Sequence, residues 1–325
     1  MQRREFIALI GGAAAAWPIT VRAQQKPASI GFMAAGAAET SAPLLEAVKQ
    51  GLHENGLVEG KDYVLELRWA EGHYERFPAF ARELADQGVR VIMVGTIAAA
   101  SAAQRATSVI PIVMASMNDP VGNGLVASLA RPGGNTTGLA TLNQDVTPKL
   151  VEFLRTLLPN ATNIAVLFNP ANPSNPLYVE SARVQAAPLG ISVQDFAMNT
   201  PDELNTVFGA IAAKRPDALL VIPDAATLDL AVRIAALALQ HRIPLISTNP
   251  ALTTAGGLVS YGVSRRENYR RSAYFVKKVL DGVKPADLPV EQPTRILLSV
   301  NLKTAKELGL TVPQHLLVAA DEIIE

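Results

Sequence analysis

The amino-acid sequence predicts an α/β protein made of two doubly wound parallel-sheet lobes. Short apolar segments alternate with amphipathic segments along most of the chain, which is the pattern of β–α units with parallel strands. The alternation runs twice, and a turn-rich seam with several prolines and glycines interrupts it near residues 117–145. A chain of 325 residues also suits two domains better than one.

The first series of elements follows from the two periodicities of apolar residues. In chain order we expect a strand at 28–33, a helix at 43–55, a strand at 63–69, a helix at 75–87, a strand at 89–94, a helix at 98–107 and a strand at 110–115. Leu44, Val48 and Leu52 would lie on one face of the first helix, and Gly56 would end it.

The second series repeats this order after the seam. We expect helices at 149–158, 179–189, 202–214 and 228–241, and strands at 163–168, 192–196, 218–222 and 244–247. The last part of the chain predicts a strand at 256–262, a helix at 269–280, an extended stretch at 287–293, a strand at 296–300 and a helix at 302–308. Such a tail is suited to pass back through both lobes and tie them together.

Residues 1–23 have the features of a secretory signal peptide. Arg3 and Arg4 are followed by an apolar run at 6–17 and by the small-x-small sequence at 21–23. The adjacent arginines indicate the twin-arginine route, which exports folded proteins. About twelve apolar residues are too few for a membrane span, which needs about twenty. We therefore expect cleavage near Ala23 and a periplasmic mature protein.

Composition excludes several classes of partner and site. Residues 1–23 contain three of the 29 basic and one of the 29 acidic side chains, so the mature chain carries a small negative charge. It has no basic excess with which to neutralise phosphates, and we expect no nucleic-acid partner. The chain has no cysteine, which excludes disulfides and thiolate metal sites. It also excludes a lipid anchor on a cysteine, so we expect no stable membrane insertion of the mature chain.

Polar side chains directly after the predicted strands are the candidate ligand site. In open α/β sheets, ligands bind beyond the carboxyl ends of the strands. The candidates at these positions and in the same loops are Ala35, Thr96, Ile97, Asn118, Asp119, Asn169, Asn172, Asp224 and Asn249. Asp119 is equally suited to bind a ligand amine or to cap the next helix, and both readings stay open.

The chemistry of these positions indicates an amino-acid-like or small carboxylate ligand. Helix N-termini beyond the strands present free N–H groups, which suit a carboxylate. Asp119 or Asp224 would balance an ammonium group, and Tyr261 would supply an aromatic wall.

Catalytic and metal-binding motifs are missing from the sequence. The four histidines, His53, His73, His241 and His315, form no HExxH pattern, and no GxSxG is present. The glycine-rich stretch at 133–138 lacks the Lys-Ser/Thr ending of a phosphate loop, and a turn before a strand is the simpler interpretation. We expect no metal, no cofactor and no catalytic residues.

Several long stretches resemble a known family. Residues 119–138 are similar to the central signature of a group of ABC-transporter substrate-binding proteins, some of which bind tryptophan or other aromatic amino acids. Further similar segments cover almost the whole mature chain: residues 51–60, 63–72, 257–262, 288–293, 301–313 and 320–325.

The resemblance implies a type I periplasmic-binding fold, with two lobes joined by a multi-crossing hinge and a ligand in the cleft between them. It implies an N-terminal lobe of residues 28–141 with 256–284 and a C-terminal lobe of residues 142–255 with 285–325. The expected partners are a small-molecule ligand and the permease subunits of an ABC importer, and the expected state is a monomer. Relatives often carry a glycine- or serine-rich loop after the first strand, where this chain has the alanine-rich stretch 34–38.

Two other functions remain open on the sequence alone. An exported α/β enzyme, for instance a hydrolase, would place a histidine beside a cleft Ser, Thr or Asp. A ligand sensor for a signalling receptor would have the same fold and cleft, and only genomic neighbours would distinguish it from a transport protein.

Overall fold

The computed structural model describes residues 26–141 and 143–325, and for residues 143–145 the backbone alone. The predicted signal peptide at 1–23 lies outside the described residues. The strands form two separate sheets, one of five strands and one of seven, with helices on both faces of each.

Twelve strands are present in the described residues. They are β1 (Ala28–Ala34), β2 (Tyr63–Trp69), β3 (Val91–Val94), β4 (Ile112–Asn118), β5 (Thr136–Thr141), β6 (Asn163–Phe168), β7 (Ser192–Ala197), β8 (Ala218–Val221), β9 (Leu245–Ser247), β10 (Val259–Gly262), β11 (Leu297–Asn301) and β12 (Glu322–Ile324).

The same residues contain twelve α-helices. They are α1 (Ala38–Glu54), α2 (Phe77–Asp86), α3 (Ile97–Ala106), α4 (Asn143–Leu157), α5 (Asn175–Ala186), α6 (Leu204–Lys214), α7 (Ala225–Asp229), α8 (Ala231–Gln240), α9 (Pro250–Thr254), α10 (Arg265–Leu280), α11 (Leu302–Leu308) and α12 (Gln314–Ala319).

The first sheet has the strand order β2-β1-β3-β4-β5, and all its strands are parallel. Its two faces are buried in different clusters. Ile30 packs with Val48 and Val276 of α1 and α10, whereas Ile92 packs with Leu84 and Ala103 of α2 and α3. Because both faces are covered, the central strand β3 is wholly apolar, whereas the edge strand β2 carries Glu66 and Arg68.

The second sheet has the order β12-β11-β10-β9-β8-β6-β7. Only β10 and β11 pair in antiparallel fashion among the described strands. Helices α4 and α5 cover one face through residues such as Leu154 and Val179. Helices α6 and α8 cover the other face through Phe208 and Ile234. The predicted fold class, two doubly wound parallel-sheet lobes, is therefore confirmed.

The chain connects the two lobes three times. It passes from β5 to α4, and then from β10 in the second sheet to α10, which packs against α1 of the first lobe. It then runs beside β5, where the Glu291 N–H donates to Gly138 O and the Ala140 N–H donates to Glu291 O. From there it enters β11 of the second sheet.

These crossings correct the expected lobe boundaries at two places. Residues 256–262, expected in the N-terminal lobe, contain strand β10, which pairs with β9 and β11 of the second sheet. Residues 285–291, expected in the C-terminal lobe, lie against the first sheet, where the Thr137 hydroxyl donates to Leu288 O. The second crossing falls at residues 263–264, because β10 completes its pairing before the chain leaves the sheet.

Some element boundaries also differ from the predicted ones. Helix α1 begins at Ala38, five residues before Pro43, which lies inside it. The predicted helix at 228–241 is two helices, α7 and α8, which meet at Leu230. Helix α12 and strand β12 were not predicted, and both are short.

Candidate ligand-binding site

A cavity lies between the two lobes, where the carboxyl ends of both sets of strands face each other. Its volume is about 600 Å³ with its open mouth included. The loop after β3 and the carboxyl ends of β4 and β5 line it from the first lobe, and loops after β6, β8 and β9 line it from the second. We call it the polar cavity, because most of its lining side chains carry hydrogen-bonding groups.

Asp224 is the most densely bonded side chain of the polar cavity. It is the N-cap of α7 and 4% exposed. Its carboxylate accepts four hydrogen bonds, from Tyr74 Oη at 2.6 Å, Asn172 Nδ2 at 2.7 Å, Asn169 Nδ2 at 2.8 Å and the Ala226 N–H at 3.1 Å. Two carboxylate oxygens offer about four lone-pair sites. The protein itself therefore satisfies Asp224.

The bond from Tyr74 joins the two lobes. Tyr74 follows β2 of the first lobe and is buried, and it packs edge-on against Phe77 at 5.6 Å between ring centroids. Burial, together with the negative charge of Asp224, raises the pKa of Tyr74 well above its ordinary value of 10.0. The phenol thus stays protonated and remains a donor throughout the physiological pH range.

Three other buried side chains of the polar cavity have polar atoms without a hydrogen-bond partner in the described part of the chain. They are both amide atoms of Asn118, the hydroxyl of Thr141 and Oδ1 of Asn175. Asn118 is 8%, Thr141 5% and Asn175 0% exposed. Unpaired buried polar groups are rare and costly in folded proteins. Their convergence on one cavity from both lobes marks the place where a polar ligand would pair with them.

Arg265 provides a positive charge at the edge of the polar cavity. Its guanidinium lies 5.6 Å from the ring centroid of Tyr269 and donates weakly to the Tyr269 hydroxyl at 3.4 Å. No salt bridge engages it among the residues that the structure describes. A planar guanidinium in this state is suited to bind a carboxylate.

The structure brings most of the predicted site residues to the cleft. Thr96, Ile97, Asn118, Asn172, Asp224 and Asn249 line the polar cavity. Asn169 lies behind it and orients Asp224. Ala35 lines an adjoining chamber instead. Thr96 and Asn249 also act as N-caps, since their side chains accept hydrogen bonds from the backbone of α3 and α9.

Asp119 and Tyr261 lie outside the lining of the polar cavity. The Asp119 carboxylate accepts a hydrogen bond from the Gly122 N–H at 2.9 Å, so it closes the turn after β4. The expected helix cap is absent, because the described residues contain no helix between β4 and β5. Tyr261 packs edge-on against Phe153 at 5.3 Å. The expected roles of Asp119 in binding an amine and of Tyr261 as an aromatic wall have no geometric support.

Several lining residues escaped the sequence-based prediction. Tyr178 and Asn175 lie on α5, Thr141 ends β5, and Arg265 follows the second crossing. The prediction considered loops directly after strands, and it had no signal for a helix that reaches the cleft from its first turns. The asparagine- and proline-rich run at 169–176 is the one local feature from which α5 could have been recognised as a source of site residues.

No histidine in the described residues lines the polar cavity. His73 is exposed and pairs with Glu75 at 3.0 Å, and His241 stacks on Phe208. The described residues contain no cluster of three side chains with metal-ligand chemistry. Within the same residues, no helix has the length and apolar character of a membrane span.

Two α/β lobes, three crossings and a polar cavity between them define a protein of the type I periplasmic-binding fold. Structures less than 25% identical to the chain, among them a type 1 periplasmic binding protein from Bordetella pertussis, share this fold. The sequence profile described as "ABC transporter substrate binding protein" matches residues 40–324. The chain therefore belongs to the family of ABC-transporter substrate-binding proteins, as the resemblance implied.

Three relatives illustrate the similarity. The ABC domain from Streptococcus pneumoniae in complex with L-Trp is 26% identical, with a TM-score of 0.84 over 92% of this chain and 100% of that one. A conserved domain protein from Vibrio cholerae has 26% identity and a TM-score of 0.85 over the same shares. A tyrosine-binding protein from Clostridioides difficile is 26% identical over 273 residues, 82% of this chain and 78% of that protein.

Proposed function

We propose that this protein captures an amino acid, with aromatic amino acids as the preferred class, in the polar cavity and delivers it to an ABC importer. The observation that carries the proposal is the set of unpaired polar atoms on Asn118, Thr141 and Asn175. They come from both lobes, so a ligand that pairs with them would hold the lobes closed. The tryptophan and tyrosine named for two relatives agree with this class of ligand.

The cavity offers separate partners to the two charged groups of an amino acid. Because Asp224 is already fully hydrogen-bonded, the ammonium group would donate to the amide oxygens of Asn118 and Asn175. The negative charge of Asp224 would favour the ammonium group through space. The carboxylate would bind Arg265, which forms no salt bridge within the described part of the chain.

An enzymatic function has less support. A hydrolase of the kind considered above requires a nucleophile with a base beside it, and the described histidines lie outside the polar cavity. The family of the chain is one of ABC-transporter substrate-binding proteins, and one relative is named a tyrosine-binding protein. We infer that the chain binds its ligand without transforming it, as a monomer with one ligand per chain.

The place of action follows from residues 1–23. We infer that the twin-arginine-like sequence directs the chain to the periplasm and that cleavage near Ala23 releases it there. A receptor that diffuses between the outer and inner membranes would carry its ligand to the permease subunits.

Calorimetry on the purified mature chain tests the proposed ligand class. We expect tyrosine, tryptophan or phenylalanine to bind, and Asn118→Ala to weaken that binding by about 10- to 100-fold, the value of one or two hydrogen bonds to a charged group. The free energy of unfolding of the ligand-free Asn118→Ala variant should stay equal or rise, because its amide has no partner to lose.

Asn205→Ala serves as the matched control, because Asn205 is exposed on α6, away from the cleft. It should leave both affinity and stability unchanged. A wild-type protein that binds no amino acid at millimolar concentration would contradict the proposed ligand class. Binding that Asn118→Ala leaves unchanged would contradict the proposed site.

A further inference from the structure

The start of α7 in the second lobe bonds and packs directly against the first lobe. Asp224, the N-cap of α7, accepts a hydrogen bond of 2.6 Å from the Tyr74 hydroxyl of the first lobe. Ala225, the next residue, is 7% exposed and belongs to the same apolar cluster as Tyr74 and Phe77. One polar and one apolar contact therefore seat α7 in the first lobe. We call Tyr74, Asp224 and Ala225 the latch.

The second-lobe half of the latch is oriented by its own lobe. The Asp224 carboxylate accepts from the side-chain amides of Asn169 and Asn172. Its backbone N–H donates to the Thr227 hydroxyl at 2.8 Å, which completes a capping box. Because the acceptor is already in place, the bond to Tyr74 requires little further ordering when the lobes meet.

The other end of α7 also meets the first lobe, but less favourably. The Asp229 carboxylate accepts from the Ala37 N–H at 3.4 Å, beyond the usual length of such a bond. Burial raises the pKa of Asp229, so its charge opposes the closed position of the lobes. The favourable polar contact between α7 and the first lobe is therefore the bond from Tyr74.

The latch is connected to a ligand-facing atom of the polar cavity. Asn169 donates to Asp224, and its carbonyl oxygen accepts from Nδ2 of Asn175 at 3.0 Å. This bond leaves Oδ1 of Asn175 as the amide atom without a partner in the described part of the chain. Tyr74 itself does not line the polar cavity. Its effect on binding must therefore pass through Asp224 and the position of the lobes.

We propose that Tyr74 is a positioning residue, whose hydroxyl holds the cleft closed through Asp224 and sets the affinity for the ligand without touching it. Because every member of the latch is a protein group, the closed form is populated to a measurable extent before a ligand binds. The apparent affinity is then the affinity of the closed form multiplied by the closed fraction. The effect on affinity rests on the proposed function, whereas the closed fraction does not.

The closed fraction is measurable with two labels, because the chain has no cysteine of its own. Arg82→Cys in α2 and Arg233→Cys in α8 replace exposed residues and give each lobe one spin-label site. Unfolding in guanidinium followed by refolding removes any copurified ligand. Pulsed electron paramagnetic resonance then gives the distribution of distances between the labels. Small-angle scattering of the unlabelled chain gives the radius of gyration as a second measure of closure.

Tyr74→Phe tests the latch, because it removes the hydroxyl and keeps the ring that packs against Phe77. We expect the ratio of closed to open molecules to fall about tenfold or more, the value of one hydrogen bond to a charged group. Calorimetry should show the affinities for tryptophan and tyrosine falling by the same factor as the closed fraction. The melting temperature should stay near that of the wild type.

Asp224→Asn tests the same bond from its other side. It should also lower the closed fraction, because a neutral amide oxygen accepts more weakly than a carboxylate. In this background Tyr74→Phe should have a smaller effect than in the wild type, since the hydroxyl acts through that carboxylate.

The matched control is Tyr63→Phe, the same exchange at another buried tyrosine of the first lobe. Tyr63 packs in the apolar cluster of α1 and α10, on the opposite face of the sheet from Tyr74, and does not line the polar cavity. This variant should keep the closed fraction and the affinities of the wild type.

The outcomes separate the latch from the proposed function. A ligand-free wild type with no closed population overturns the latch. A Tyr74→Phe variant that binds more weakly at an unchanged closed fraction also overturns it, since the hydroxyl would then contact the ligand. A fall in melting temperature alone would show a purely structural role. A wild type that closes as expected but binds neither tryptophan nor tyrosine supports the latch and contradicts the proposed ligand class.

Discussion

At the scale of single residues, the polar side chains of the cleft fall into two groups with different roles. Asp224 is fully hydrogen-bonded by the protein and joins the lobes through Tyr74. Asn118 and Asn175 keep polar atoms unpaired. The first group positions the site. The unpaired polar atoms of the second group lower the stability of the ligand-free protein, and binding of a ligand would offset this cost. Such a trade of stability for function is common in binding sites.

We expect Asp229 to make ligand binding dependent on pH. Its carboxylate belongs to the second lobe and accepts from the Ala37 N–H at the start of α1 of the first lobe, so opening of the cleft would break this contact. Burial raises the pKa of Asp229 above the ordinary 3.8, although hydrogen bonds from Thr40 and Ala37 and the charge of Arg265 partly oppose this. The charge of Asp224 acts in the same direction as burial.

The sign follows from linkage. Because the pKa is higher in the closed form, this form binds the proton more tightly, and closure becomes easier as the pH falls through the raised pKa towards 3.8. Above the raised pKa the carboxylate is charged in both forms, and its desolvation cost no longer changes with pH. We expect amino-acid affinity to rise in this acidic window and Asp229→Asn to flatten the rise, as measured by calorimetry at several pH values.

Asp202→Asn is the control for this titration. Asp202 is exposed before α6 and distant from the cleft. The variant should keep the wild-type profile. An unchanged profile in Asp229→Asn would assign the pH dependence to another group.

The approximate position of the candidate site could be predicted from the sequence. Thr96, Asn118, Asp224 and Asn249 follow strands whose carboxyl ends meet at one edge of each sheet, and this rule located them. The rule says nothing about which groups are already paired. The Asp224 carboxylate could pair with a ligand or with the Tyr74 hydroxyl, and the distance between the lobes decides which partner it has. No local sequence pattern encodes that distance.

At the scale of elements, the contact between α1 and α10 holds the first lobe to the later part of the chain. Gly51 of α1 lies against the backbone of α10, and a Cβ at position 51 would overlap the carbonyl oxygen of Arg270. The sequence predicted both helices from their periodicity. It could not predict that they touch, because they are more than 200 residues apart.

Two glycine-to-alanine exchanges test this contact. Gly51→Ala should lower the free energy of unfolding by about 1–3 kcal/mol, since the helices must move apart. Gly209→Ala is the matched exchange on α6, where nothing lies within 4 Å of the added Cβ. It should raise stability by about 0.5–1 kcal/mol through helix propensity. Urea unfolding measures both, and equal effects of the two exchanges would show that the α1–α10 contact is loose.

The second crossing shows the same limit of sequence-based prediction. A strand at 256–262 was expected, and the structure contains a strand over the last four of these residues, Val259–Gly262. The lobe predicted for this strand was wrong, because a strand pattern identifies the strand itself but not the strands with which it pairs. Strand β12 is only three residues long, too short for a periodic pattern to show.

At the scale of the whole molecule, we propose that residues 1–23 direct the two-lobed protein out of the cytoplasm. If the twin-arginine route is used, replacement of both Arg3 and Arg4 by lysine should leave most of the protein in the cytoplasm. Cell fractionation followed by immunoblotting measures the periplasmic share. Lys61→Arg, a conservative exchange at an exposed position, serves as the control, and unchanged export of the double variant would indicate the general secretory route.

The position of α10 also has a consequence for synthesis of the protein on the ribosome. The first sheet is complete at residue 141, yet the apolar cluster that α1 and α10 form on one of its faces is complete only when residues 265–280 have been made. The nascent chain therefore leaves part of this cluster uncovered while the whole second series of β–α units is translated. Domains usually fold as units during synthesis, but in this protein the lobe begun first would be finished only near the end of translation.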